Sequence, residues 1–227
     1  MRIVAKLSRA GRKHKRNVAT KDIQPGNYLI VTEGVETEKN YFENIGKIIT
    51  DLFNNEVKVD KITLDVKGTG RSTSVLVNEV IKKRSLSSYS DVWVVFDRDN
   101  NTDFDEAIAL ATKEGFNVAW SNESFELWLL LHFQDLKAGI HRDNYIEKLN
   151  AHFKSKNING GTYSKNINNI FDLTKPYVET AIKRSKALLE FHEENKNFNP
   201  NKMNPATKVQ DLVEELIKYI KQKTQDL

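Results

Sequence analysis

Three carboxylates follow two apolar runs of the sequence. Glu33 comes directly after residues 28–32, and Asp97 and Asp99 follow residues 92–96. Residues i and i+2 of an extended chain point the same way, so Asp97 and Asp99 can face one ligand. Three converging carboxylates repel one another, a conflict that a hard divalent cation removes, and oxygen ligands favour Mg²⁺ or Mn²⁺ over Zn²⁺. We therefore predict a metal site at Glu33, Asp97 and Asp99.

Short β-rich runs alternate with helical patterns over the first half of the chain. The hydrophobic spacing predicts strands over residues 28–32, 57–66, 91–96 and 116–120, with helices over residues 36–53, 75–83 and 103–114 between them. This alternation predicts the α/β class, with a parallel, Rossmann-like sheet sandwiched by helices. Because ligands of such sheets bind beyond the carboxyl ends of the strands, the three acids stand where a site is expected.

From about residue 124 onward the strand patterns stop. Helical spacing predicts a buried helix over residues 125–133 and further helices over residues 145–153, 177–192 and 207–219. We therefore divide the chain into a basic N-terminal arm (residues 1–25), an α/β domain (residues 26–123) and a helical C-terminal region packed on it (residues 124–227).

Composition excludes several classes of protein. The chain has 227 residues and no cysteine, so disulfides, thiolate zinc sites and iron–sulfur clusters are excluded. The longest dense apolar run, residues 127–131, is far shorter than a membrane span. The N-terminus lacks the apolar segment of a signal peptide. We expect a cytoplasmic protein without membrane contact.

Positive charge is concentrated at the N-terminus. Residues 1–21 contain eight Lys and Arg and no acidic residue. Such an arm is typical of a nucleic-acid contact, because each cation that reaches a phosphate releases counterions; a solvated leader is the alternative. The predicted nucleic-acid-binding residues of the arm are Arg9, Arg12, Lys13, Lys15 and Arg16. Lys165 and Lys175 further along could also follow a nucleic-acid backbone, but a solvated helix face is the default interpretation for them.

Other residues have both a functional and a structural interpretation. Glu126 lies in an otherwise apolar helical run, where a buried carboxylate needs a partner. It is therefore a candidate for the catalytic site or for a pair with a core arginine; the structural alternative is an acid at a helix N-terminus, where it interacts favourably with the helix dipole. His132 is either catalytic or a core histidine. Loop 68–73 is either a phosphate cradle, with Arg71 as a phosphate-binding residue, or an ordinary turn.

The order of these motifs resembles that of known proteins. Glu33-Gly34 followed by Asp97-Arg98-Asp99 is similar to the TOPRIM domain of topoisomerases, primases and several nucleases. The closer resemblance is to the RloB family, prokaryotic proteins associated with phage defence and often paired with an AAA-type ATPase. The shared elements are Thr32-Glu33-Gly34, Thr37-Glu38, Tyr41-Phe42, Val95 to Asp99, Ser121-Asn122, Phe125 to Phe133, and Asn204-Pro205 to Val209. Glu123 departs from the proline expected in that family.

The resemblance implies a function. Residues 26–123 would form a TOPRIM-like domain in which Asp97 and Asp99 carry Mg²⁺ and Glu33 acts as metal ligand and general base. We therefore predict a Mg²⁺-dependent nuclease that hydrolyses phosphodiester bonds of DNA or RNA, tRNA included, in antiviral defence by abortive infection. Nucleic acid, an AAA-type ATPase and a second copy of the chain, as a homodimer, are the expected partners.

Alternative functions share part of this pattern. A phosphohydrolase of the haloacid-dehalogenase type would have Thr or Ser shortly after the paired acids, where Asn100 and Asn101 stand. A glycosyltransferase with an Asp-x-Asp motif would leave Glu33 and the basic arm unexplained. A nucleic-acid-binding or ATPase-binding module without turnover is the remaining alternative.

Overall fold

Strands and helices alternate along the first half of the chain, as predicted. The structure, a computed structural model, describes residues 26–53, 59–63, 73–85, 89–99 and 101–225. The α/β part comprises β1 (Tyr28–Thr32), α1 (Thr37–Leu52), β2 (Val59–Thr63), α2 (Thr73–Arg84), β3 (Asp91–Asp97), α3 (Phe104–Lys113) and β4 (Asn117–Ser121). The bounds of each of these elements lie within three residues of those that hydrophobic spacing predicts.

The four strands form one parallel sheet in the order β2-β1-β3-β4. From β1 the chain crosses to one side to form β2 and then returns to the other side to form β3. The sheet therefore has its switch point between β1 and β3, where an open α/β sheet leaves a crevice beyond its carboxyl edge. In the register, Thr32 is level with Val95, and Asp97 is level with Ser121.

Both faces of the sheet are covered, which explains why the central strands β1 and β3 are apolar at consecutive positions. Leu29, Val31 and Val94 point to one face and pack with α2 and α3. Ile30 and Val95 point to the other face and belong to a larger cluster that includes α1 and the C-terminal helices. The predicted α/β fold class, with helices on both faces of a parallel sheet, is confirmed.

Helices and short 3₁₀ turns make up the remainder of the chain. The helices are α4 (Glu126–Leu131), α5 (Arg142–Lys156), α6 (Ile170–Thr174), α7 (Val178–Glu194) and α8 (Val209–Gln225). All six residues of α4 are buried, as expected of a helix that is apolar nearly all round. Short α6 was not predicted. No helix in the described ranges combines the length and the apolar character that crossing a membrane requires.

The division of the chain into an arm, an α/β domain and a helical region stays a prediction. Residues 1–25 lie outside the described residues. The buried cluster on the Ile30 face joins α1 with α4, α5 and α8, so both sides of the predicted boundary at residue 123 contribute to it.

Candidate functional site

Glu33 and Asp97 lie next to each other at the carboxyl edge of the sheet, on either side of its switch point. Asp97 is the last residue of β3, and Glu33 follows β1 with its backbone N–H bonded to Val95 O at 2.9 Å. Asn101 lies between them, since its side-chain Nδ2 is 3.5 Å from Glu33 Oε1 and 3.3 Å from the backbone oxygen of Asp97. The pairing of the two central strands therefore brings two of the predicted site residues together.

A cavity of about 390 Å³ opens at this edge and is lined by acidic side chains from several segments of the chain. It takes Glu33 from the end of β1, Glu38 from the first turn of α1, Asp97 from β3 and Glu126 from the start of α4. The other lining residues are Gly34, Val35, Glu36, Thr37, Asp99, Ser124, Arg142, Asp143, Ile146 and Lys165.

The convergence of carboxylates shifts their proton affinities. Burial, followed by the charges of Glu38, Glu126 and Glu33, raises the pKa of Asp97 well above its ordinary value. Burial and the charge of Glu126 likewise raise the pKa of Glu38 to about 7, although Lys165 opposes the shift. The Asp97 carboxylate nevertheless has a fixed orientation, because Phe125 N–H donates to its Oδ2 at 3.0 Å. These carboxylates disfavour one another's charge, which a bound cation would relieve.

Glu126 is 3% exposed, and its partners come from the loop that follows α5. The Tyr163 hydroxyl donates to Glu126 Oε1 at 3.0 Å, and Lys165 Nζ lies 3.4 Å from the same oxygen. Thr37 Oγ1 donates to the backbone oxygen of Lys165 at 3.0 Å, which ties the loop to α1. Burial opposes the charge of Lys165, but the Glu126 carboxylate outweighs it and raises the pKa of the ammonium. Glu126 therefore faces the cavity with a tyrosine and a lysine as partners, and no core arginine is needed.

Asp99 has a different partner from Asp97. Its side chain forms an ion pair with Arg142, the first residue of α5, although both residues line the cavity. Asp99 also has a left-handed backbone conformation (φ 38°), so the regular alternation expected of an extended Asp-x-Asp does not continue through it. Across the described ranges, no set of three or more Asp, Glu or His side chains is arranged to hold a metal ion. The three-carboxylate metal site therefore stays a prediction.

The types of donor in the cavity nevertheless fit the predicted cation. Its acidic side chains offer oxygen ligands alone, which suit Mg²⁺ or Mn²⁺. Burial, and after it the charge of neighbouring carboxylates, raises the pKa of Asp97 and of Glu38, and a cation among these groups would favour their charged forms. The donor types, although not their present arrangement in the described residues, fit a hard divalent cation, which would be held by Glu33, Asp97 and Asp99.

His132 lies in the aromatic core and does not line the cavity. It is 1% exposed, and its ring packs edge-on against Tyr41 and Trp128. Its Nδ1–H donates to Trp128 O at 3.0 Å, and burial lowers the pKa of the imidazole to about 4. These contacts support the core interpretation of His132.

The segment before α8 forms hydrogen bonds with the two loops that follow β3 and β4. Asn122 N–H donates to Ala206 O at 2.9 Å, and the hydroxyls of Ser121 and Thr207, 86 residues apart in sequence, are 3.0 Å apart. Arg98 Nε donates to Asn201 Oδ1 at 2.8 Å. Two distant sequence motifs, 121–122 and 204–209, therefore contact each other beside Asp97. Together with the Arg98–Asn201 hydrogen bond, this contact holds the chain around Asp97 in place.

Sequence reasoning missed three residues of this site. Glu38 had a signal, since Thr37-Glu38 is among the motifs that carry the family resemblance. Arg142 and Tyr163 had none, because nothing near them in sequence indicates that they reach the acids. The predicted nucleic-acid contacts Arg9, Arg12, Lys13, Lys15, Arg16 and Arg71 lie outside the described residues, as does most of loop 68–73.

Comparisons with known proteins agree with the motif pattern. No curated protein and no solved structure matches the chain. A family model described as RloB-like protein matches residues 28–216, which include β1, every acidic residue of the cavity and about the first half of α8. The chain therefore belongs to the RloB-like protein family.

Proposed function

We propose that this protein is a Mg²⁺-dependent nuclease of the TOPRIM type that hydrolyses phosphodiester bonds of DNA or RNA, tRNA included. The observation that carries the proposal is the convergence of Glu33, Glu38, Asp97 and Glu126 on one cavity at the switch point of a parallel sheet. The role in phage defence and the AAA-type ATPase partner follow from the family resemblance.

Glu33, Asp97, Asp99 and Lys165 have different roles in this reaction. Glu33, Asp97 and Asp99 would hold Mg²⁺ or Mn²⁺, which would polarise the scissile phosphate and stabilise developing oxygen charge. Glu33 also accepts a proton from the attacking water. Lys165 lines the same cavity and places a positive charge near the phosphate, while its pairing with Glu126 keeps that carboxylate oriented.

Cleavage assays test the proposal directly. The full chain, with and without its ATPase partner, is incubated with supercoiled plasmid and with labelled total tRNA in Mg²⁺, Mn²⁺ or EDTA. We expect products from at least one substrate in Mg²⁺ or Mn²⁺ and none in EDTA. Cleavage that persists in EDTA, or the absence of products from both substrates with the partner present, would overturn the nuclease proposal.

One observation favours a second function, a nucleic-acid-binding module without turnover. Asp99 is paired with Arg142, which takes up a carboxylate that the cation would need. A binding module predicts that the protein shifts the plasmid or the tRNA in a gel without producing cleaved species under any metal condition. The same samples therefore separate the two functions.

A further inference from the structure

Arg142 places a positive charge at the acidic cavity. It is the first residue of α5, and its guanidinium pairs with Asp99. Their side chains are 40% and 25% exposed, so both can reach solvent or a ligand without unfolding. Asp143 and Glu123 add further negative charge around the guanidinium.

The pair has a consequence for any cation at this site. The guanidinium contacts Oδ1 of Asp99, and its positive charge repels a second cation at the same carboxylate, so a divalent cation that uses Asp99 must compete with Arg142. Once displaced, the guanidinium remains on the cavity rim, because α5 is anchored by the buried side chains of Tyr145 and Leu149. A planar guanidinium there has the geometry for bidentate contact with a phosphate.

We propose that Arg142 exchanges partners: it holds Asp99 until a divalent cation takes that carboxylate, and it then binds a phosphate of the nucleic-acid backbone. The inference rests on the proposed function, since it assumes that Asp99 is a metal ligand. The exchange makes Arg142 a substrate-binding residue, and it predicts that the cation and the nucleic acid bind cooperatively. Because coupling between two binding equilibria is reciprocal, each ligand increases the affinity for the other.

Cation binding gives the first test and needs no activity. Calorimetric titration with Mn²⁺ compares the wild type with Arg142→Ala, Arg142→Lys and the control Lys154→Ala, an exposed residue near the far end of α5. Removal of the competitor should tighten Mn²⁺ binding about two- to fivefold, the range that one partly exposed ion pair supplies. The Mn²⁺ affinity of Arg142→Lys should lie between those of the wild type and Arg142→Ala, and that of Lys154→Ala should equal the wild-type value. The increase in affinity should shrink at high salt, which screens the pair.

Nucleic-acid binding gives the second test. Fluorescence anisotropy follows a labelled DNA oligonucleotide and an RNA of the same sequence, in EDTA and in Ca²⁺, a hard cation that takes the same oxygen ligands. Ca²⁺ should tighten binding by the wild type, and Arg142→Ala should abolish most of that effect. Asp99→Asn frees Arg142 without a cation, so it should bind either probe more tightly than the wild type in EDTA.

The outcomes separate this inference from the proposed function. If Mn²⁺ binds the wild type and Arg142→Ala with the same affinity, or if Ca²⁺ leaves the affinity of the wild type for both probes unchanged, the exchange is wrong while the metal site stands. If Mn²⁺ does not bind the wild type at all, both ideas are wrong. Melting curves of each variant show whether it is folded, and Arg142→Lys keeps the charge in case the alanine variant is not.

Discussion

The carboxylate of Glu38 lies against the backbone of Gly34. A Cβ atom built on Gly34 would be 2.0 Å from Glu38 Oε2 and 2.3 Å from its Cδ, far inside van der Waals contact. The glycine after Glu33 therefore makes the space in which the Glu38 carboxylate reaches the cavity. This contact gives a physical reason for a Glu-Gly pair directly after β1.

The first prediction tests that contact. Gly34→Ala should push the Glu38 side chain aside while the fold survives, because the obstructed atoms belong to the end of a flexible side chain. Because the charge of Glu38 acts on the proposed ligand Asp97, displacement of Glu38 should lower Mg²⁺ affinity about ten- to a hundredfold, the usual effect of removing a group that supports metal ligands. The measurement is the Mg²⁺-induced rise in melting temperature over a range of cation concentrations.

A double-mutant cycle provides the control. In a Glu38→Ala background the space beside Gly34 is open, so adding Gly34→Ala should change Mg²⁺ affinity little. An equal loss of affinity in both backgrounds would mean that Gly34 acts through the backbone and not through Glu38.

The second prediction concerns Asp97→Asn, which keeps the shape of the side chain but removes its charge. The pKa of Asp97 is raised by burial and by its acidic neighbours, so loss of its charge should leave the melting temperature unchanged or raise it. Asn can still accept the hydrogen bond from Phe125 N–H. Stabilisation by Mg²⁺ should disappear, and cleavage should fall at least about a hundredfold, the scale for one preorganised electrostatic group.

Glu33→Gln should behave in the same way, and the double variant should be little worse than either single variant, because the residues act as one unit. Asp172→Asn, on the exposed side of α6, is the matched control and should retain wild-type cleavage. Full cleavage by Asp97→Asn would contradict the metal-dependent mechanism.

The third prediction is a pH dependence of stability that originates in the core. Burial lowers the pKa of His132 to about 4 in the folded chain, from an ordinary value of 6.5. Between pH 6.5 and pH 4 the unfolded chain binds a proton at His132 that the folded chain does not, so protonation of the unfolded chain lowers the free energy of unfolding. The free energy of unfolding is therefore unaffected by His132 above pH 6.5 and decreases as the pH falls toward 4. From pH 7 to pH 5 the wild type should lose about 2 kcal/mol more unfolding free energy than His132→Leu.

Urea unfolding at several pH values measures that difference. Leu131→Ala, a buried neighbour that keeps the histidine, should lower the free energy of unfolding at every pH and retain the wild-type slope. Parallel pH profiles for the wild type and His132→Leu would show that another group is responsible.

The fourth prediction concerns the basic arm, which lies outside the described residues. Deletion of residues 1–21 removes eight Lys and Arg. If they bind phosphates, the slope of log K against log salt for duplex DNA should fall by about 0.9 for each phosphate that is no longer neutralised. Substitution of Arg9, Arg12, Lys13, Lys15 and Arg16 by Gln should give most of the same change. An unchanged slope after deletion would mean that the arm does not bind phosphates and is a solvated leader.

Much of the fold was predictable because its signals are local. Strand β3 is a continuous apolar run because both faces of a parallel sheet are covered, and α4 is apolar nearly all round because it is buried. The positions of Glu33 and Asp97 after two such strands were enough to expect a site at the carboxyl edge of the sheet. Short α6 has only five residues, too few for a helical repeat to be read from the sequence.

The sequence by itself therefore determined the α/β class, the order of the elements, the family and the two acids at the switch point, because these depend on periodicity and on motifs of a few residues. Only the tertiary structure decided which residues complete the site. Tyr163 reaches Glu126 across 37 positions, and Arg142 reaches Asp99 from the start of another helix. Such contacts arise when the helices and the loops between them pack against the sheet. No short-range pattern in the sequence specifies which of their side chains then meet.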